Sequence, residues 1–131
     1  MNTRIWSVPD TKKIHTYIRR APALIWGFFV FYFSLLPSDR IPKTLLEFSD
    51  LLLHFLIYSF WMVLSLWARP FPTRPPLRRT ILVGVILISL SLLIEIIQGV
   101  FIPGRTFSLL DLLANGTGIL IGGTIARYLR F

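Results

Sequence analysis

The 131-residue chain contains no cysteine, only two histidines and only six acidic residues. The first absence excludes a disulfide framework and any thiolate metal centre, which leaves His, Asp and Glu as the only strong ligand types. The shortage of Asp and Glu against 14 Lys and Arg gives a formal charge of +8. In a soluble protein that balance would suggest nucleic-acid binding. Here there is no polar face for the basic residues to line, and they flank apolar segments instead. The chain also lacks internal repeats, low-complexity tracts and any composition shift that would mark a second domain. What it has in abundance is apolar surface: 54% hydrophobic and 15% aromatic residues, with a mean hydropathy of +0.68. A soluble domain of this length could not keep so much out of water. The sequence therefore reads as an integral membrane protein with no nucleic-acid partner.

Four apolar blocks, residues 18–36, 50–68, 80–102 and 108–128, predict one all-α transmembrane domain over residues 1–131, built as a four-helix bundle. At a rise of about 1.5 Å per residue, the last three blocks are each long enough to cross roughly 30 Å of hydrocarbon. The apolar run of the first block, Ala21 to Leu36, is short by itself and lengthens through Tyr17 and Ile18, with Arg19 and Arg20 snorkelling to the interface. A cleaved signal peptide fits it less well, because the preceding basic region is long and "SLLPSDR" offers no small-x-small cleavage site. Between the second and third blocks, "RPFPTRPPLRR" reads as an extended loop, since proline lacks an amide donor and restricts the residue before it. "IPGRTFS" reads as a tight turn between the last two. Eleven of the Lys and Arg residues fall in the N-terminal arm, the Pro-rich loop and the C-terminus, against Arg40, Lys43 and Arg105 on the opposite side. The positive-inside rule then expects both termini in the cytoplasm and the other two loops outside.

This topology gathers hydrophilic residues in one leaflet. Asp50 and His54 open the second span, Glu95 and Gln98 lie in the last turns of the third, Asp111 and Asn115 open the fourth, and Arg105 occupies the turn above them. Their spacing is helical. Asp50, His54 and Tyr58 follow i, i+4, i+8; Ser91, Glu95 and Gln98 follow i, i+4, i+7; Ser108, Asp111, Asn115, Gly118 and Gly122 follow gaps of three and four. Each set forms a stripe on one helix face. A charge at the bilayer centre costs at least about 2.5–3.5 kcal/mol, so the stripes are expected to face one another around a polar cavity open to the outer side. Gly118 and Gly122 form a GxxxG pair that permits close helix approach.

Blander roles compete for these residues. Ser108 with Asp111 matches a helix-capping box, and Asp50 lies where a helix N-terminus favours negative charge. Gln98 and Asn115 also suit interhelical hydrogen bonds, Arg105 suits an interfacial anchor, and Tyr58 and the tryptophans suit interface or packing positions. Glu95 sits about two turns inside the third span, where no cap is called for. Asp50, Glu95 and Asp111 against Arg105 leave the cluster at −2 with His54 neutral, so it needs a cation, a proton or a cationic ligand. A histidine among carboxylates has the donor types for a divalent metal, but neither HxxxH nor HExxH is present, and His15 is expected on the cytoplasmic side. The sequence thus predicts no metal and no other cofactor.

"SDLLLHFLIYSF" together with "SLLIEIIQGVFIPGRTFSLLDLLANGTGILIGG" resembles the VanZ-like family of small bacterial membrane proteins. That pattern has an Asp and a His opening one helix, then Glu-x-x-Gln, a Pro-Gly-Arg turn, and Ser-x-x-Asp-x-x-x-Asn before a Gly-rich helix. Here it falls on Asp50, His54, Tyr58, Glu95, Gln98, Pro103, Gly104, Arg105, Ser108, Asp111, Asn115, Gly118 and Gly122. The family often has Lys after the first Asp, where this chain has Leu51. The resemblance implies residence in the bacterial cytoplasmic (inner) membrane and a context of glycopeptide resistance, teicoplanin in particular; it implies no particular reaction. The functional expectation is a non-enzymatic protein whose Asp50, His54, Glu95, Gln98, Arg105, Asp111 and Asn115 bind an amphiphile at the outer leaflet. Its partners would be membrane lipids and a lipid-linked cell-wall precursor or a lipoglycopeptide. The alternatives are an intramembrane enzyme using His54 and Glu95 as an acid–base pair on a lipid-linked substrate, and a structural helper subunit.

Overall fold

The computed structural model describes residues 11–40, 50–68 and 75–129. Four helices account for nearly all of them: α1 (Thr11–Ser34), α2 (Asp50–Trp67), α3 (Leu77–Phe101) and α4 (Leu109–Leu129), with a short 3-10 turn at Ser38–Arg40 and no strand among the described residues. Helices α2, α3 and α4 hold 18, 25 and 21 residues, with mean hydropathies of 1.5, 2.7 and 1.4 over their most apolar windows, and each is long and apolar enough to cross a membrane. Helix α1 has 24 residues, one fewer than α3, but Lys12, Lys13, His15, Arg19 and Arg20 occupy its first half. It does not reach the same standard of apolarity.

Two boundaries differ from the sequence expectation. Helix α1 starts at Thr11, well before residue 18, so the basic arm continues the helix rather than preceding it. Its Arg19 lies over the Trp67 ring at 5.4 Å, where the cation meets an aromatic face. Helix α3 starts at Leu77, so residues 77–79 of the expected extended loop are helical. Pro76 occupies the N-cap with φ −61° and ψ 142°. Proline is harmless there, because the first amides of a helix have no intrahelical partner to lose. Residues 69–74 of that loop lie outside the described residues, as do residues 41–49 of the loop before α2.

The bundle is held by its second and last helices. Helices α2 and α4 make the most extensive contact, α3 packs on α4, and α1 lies against α2. The α2–α4 contact is a backbone contact: a Cβ on Gly118 would collide with the Phe55 carbonyl, and one on Gly122 with the Ser59 carbonyl. Glycine is therefore required twice, one turn apart, as the GxxxG spacing expects. Helix α1 is seated by Gly27, whose bare Cα accommodates the Trp61 indole, and by Trp26, whose Nε1–H donates to the Ile57 carbonyl at 3.2 Å. Tyr58, Trp61, Met62, Leu66, Leu87, Ile94, Ile119 and Ala126 fill the centre.

Outside this thin core the surface is apolar. Leu24, Phe28, Leu82, Val100, Leu120 and many other large hydrophobic side chains are exposed, a surface that water would not tolerate and acyl chains require. Hydroxyls on these faces fold back onto their own helices. Ser89 donates to Val85 O at 2.8 Å, Thr117 to Leu113 O at 2.8 Å and Thr124 to Leu120 O at 2.9 Å. Each then presents no unpaired donor to lipid.

Candidate functional site

The chain reverses between α3 and α4 in seven residues, 102–108. Ile102 closes α3 with its N–H on Gln98 O, Arg105 N donates to Ile102 O at 3.2 Å, and Gly104 takes φ 77°, a left-handed conformation that favours glycine. This turn brings the start of α4 beside the end of α3. Because α4 runs in backbone contact with α2, the start of α2 is brought to the same end of the bundle.

Ser108 caps α4 by accepting the Asp111 N–H on its Oγ at 3.2 Å. In a reciprocal capping box the Asp111 side chain would return to the Ser108 N–H. Here Glu95 of α3 takes that amide instead, with Ser108 N donating to Glu95 Oε2 at 3.1 Å. Glu95 is only 2% exposed, and Arg105, His54 and Asp111 are all near enough to act on its carboxylate electrostatically. The consequence is positional: relieved of capping, the Asp111 carboxylate turns toward α2.

There it meets His54. The imidazole Nε2 stands 3.8 Å from Asp111 Oδ2 and 3.8 Å from Asp50 Oδ1 one turn earlier on α2. The other ring nitrogen, Nδ1, lies 3.1 Å from Asn115 Oδ1. Asn115 is buried, and its amide Nδ2 donates to Ser91 Oγ at 2.7 Å; Ser91 is in turn hydrogen-bonded to the Tyr58 hydroxyl. One polar chain therefore runs from Tyr58 through Ser91 and Asn115 to His54, crossing three helices. Tyr58 is accordingly a buried member of this chain and no interface aromatic.

Gln98 points elsewhere. Its Nε2 donates to Ser34 O at 2.7 Å, supplying a partner for a carbonyl in the last turn of α1. Arg105 is partly buried, and its Nε has no hydrogen-bond partner among the described residues. Of the seven residues singled out from the sequence, Asp50, His54, Asp111 and Asn115 form one contact set, with Glu95 and Arg105 beside it. Gln98 serves the α1–α3 contact. Ser91, which the helical stripe already contained, joins the set. The Trp26 and Ser34 contacts carried no sequence signal, because each uses a backbone carbonyl on a distant helix.

A groove of about 870 Å³ lies between α3 and α4. It is lined by apolar residues including Ile81, Ile88, Leu112, Leu113, Gly116 and Leu120, and none of the seven polar residues lines it. Its upper end, at Leu112, adjoins Asp111 in sequence.

No curated protein and no solved structure matches the chain. A family model does: with the Asp–His, Glu-x-x-Gln, Pro-Gly-Arg and Ser-x-x-Asp-x-x-x-Asn elements now seen at one end of a helical bundle, and with residues 12–130 matched, the chain belongs to the VanZ/LLP1 family.

Proposed function

We propose that this membrane protein binds an amphiphile whose anionic head group meets Arg105 at the extracytoplasmic end of the bundle. The topology that puts this end outside is the one favoured by the Lys and Arg distribution. The carrying observation is Arg105 Nε, a buried cationic N–H left without a hydrogen-bond partner among the described residues, near enough to the Glu95 carboxylate to act on it electrostatically. A phosphate or carboxylate of a ligand would supply the missing acceptor through a charge-assisted hydrogen bond. The groove between α3 and α4 supports the rest of the reading, since about 300–1,000 Å³ is the usual size of a ligand site and its lining suits an acyl or prenyl chain. A lipid-linked cell-wall precursor or a lipoglycopeptide such as teicoplanin has both parts. Glu95 argues for binding over acid–base chemistry: its carboxylate is engaged by the Ser108 amide and shielded from solvent.

The test is a thermal-shift titration of the purified protein in detergent with a polyprenyl phosphate and, separately, teicoplanin, using wild type and Arg105→Gln. The reading expects the wild type to be stabilised by at least one of them and the variant to lose that shift while unfolding near its own ligand-free temperature. Folded wild-type protein that responds to neither compound removes the proposal. Stabilisation that survives Arg105→Gln removes Arg105 from it.

A further inference from the structure

We propose that Asp50, His54 and Asp111 hold a divalent transition-metal ion between α2 and α4. The ligand atoms of these three residues lie within 4.8 Å of one another, and two of the separations, from His54 Nε2 to each aspartate, are 3.8 Å. That spacing is too long for a hydrogen bond, which would draw a charged pair to about 2.7–2.9 Å. It fits an ion: two atoms each about 2.0–2.2 Å from a common metal stand no more than roughly 4.4 Å apart.

The imidazole is prepared for this role from behind. Asn115 Oδ1 is an acceptor only, so His54 Nδ1 carries the hydrogen and Nε2 presents its lone pair to the gap between the two carboxylates. Three electron-pair donors then face one another with no donor hydrogen among them. The Asn115 contact is the outer-shell hydrogen bond by which metal-binding histidines fix their tautomer and ring orientation, and Ser91 holds Asn115 in turn. Charge points the same way. Asp50, Glu95 and Asp111 against Arg105 leave two negative charges at the end of an apolar bundle, and one divalent cation cancels them. Asp50, whose side chain is 69% exposed, is free to close the site onto the ion. One imidazole and two carboxylates suit Zn²⁺ or Mn²⁺ and leave coordination positions open.

The full chain, purified in detergent and stripped with a chelator, is titrated calorimetrically with Zn²⁺ and with Mn²⁺, alongside Asp111→Asn, His54→Gln and His15→Ala. Asp111→Asn keeps the backbone cap on Ser108 and is nearly isosteric, so it separates metal loss from misfolding; circular dichroism checks each variant. The site predicts one ion per chain, binding weakened at least a hundredfold in Asp111→Asn and His54→Gln, and full binding in His15→Ala. Asn115→Ala, which touches no ion, weakens binding by about 10–100-fold. Folded wild type that takes up neither ion overturns the proposal, as does one-to-one binding unchanged in Asp111→Asn and His54→Gln.

Discussion

Substituting Gly118 by alanine tests the contact on which the whole arrangement rests. A Cβ there meets the Phe55 carbonyl oxygen, its carbonyl carbon at 3.1 Å and Ser59 N at 3.1 Å, all of them backbone atoms that no rotamer change can move. The only relief is to part α2 from α4, and a gap of about 0.5–1 Å forfeits a quarter to a half of each dispersion contact along the seam. Overpacking of this kind costs about 1–3 kcal/mol. Replacing a helical glycine recovers at most about 1 kcal/mol, so a net loss of about 1–2 kcal/mol is expected, roughly a 5- to 30-fold shift in the folding equilibrium. Gly116, two residues away, is the internal control: its Cβ would meet only Ile88 Cδ1 at 3.5 Å, an ordinary contact. Gly116→Ala should be neutral or stabilising by about 0.5–1 kcal/mol. Unfolding in mixed micelles by increasing SDS, followed by tryptophan fluorescence, measures both. Gly118→Ala as stable as Gly116→Ala would mean that α2 and α4 do not touch through their backbones.

Three further outcomes follow from the contacts described. Glu95→Leu strands the Ser108 amide and should cost about 1–3 kcal/mol, while Glu95→Gln keeps an acceptor and should cost less; the same SDS titration ranks them, and equal costs would disprove the cap. Trp26→Phe removes the bond to the Ile57 carbonyl but retains most of the ring, so a loss of about 0.5–1.5 kcal/mol is expected, and a loss of several would mean packing dominates the α1–α2 contact. Because the chain has no cysteine, single cysteines at Thr106 and Thr73 report sidedness cleanly: a membrane-impermeant maleimide should label the first in intact cells and the second only after lysis.

Much of this bundle was legible in the order of residues alone. Apolar runs marked all four helices, three of which are long and apolar enough to cross a membrane, because a helix in lipid satisfies its own backbone and needs little else from its neighbours. Helical spacing put Asp111 and Asn115 on one face and Ser91, Glu95 and Gln98 on another, and the GxxxG pair marked a close approach. The start of α1 and the first turn of α3 were read less well. Charges continue α1 without breaking it, and prolines that end an extended loop also suit a helix N-terminus.

Only the tertiary structure decided which partner each polar group takes. Sequence spacing resolves neighbours within one helix; it carries no information on the rotation of one helix against another. The seating of Gly118 and Gly122 on the α2 backbone sets that rotation, and with it the meeting of Asp111 with His54. The same packing assigns Gln98 to the end of α1 and gives Glu95 the capping role that local sequence had offered to Asp111. The sequence named Asp50, His54 and Asp111 as members of one polar cluster, but it did not say that these three would face one another across the α2–α4 contact. They do so because two glycines let their helices touch.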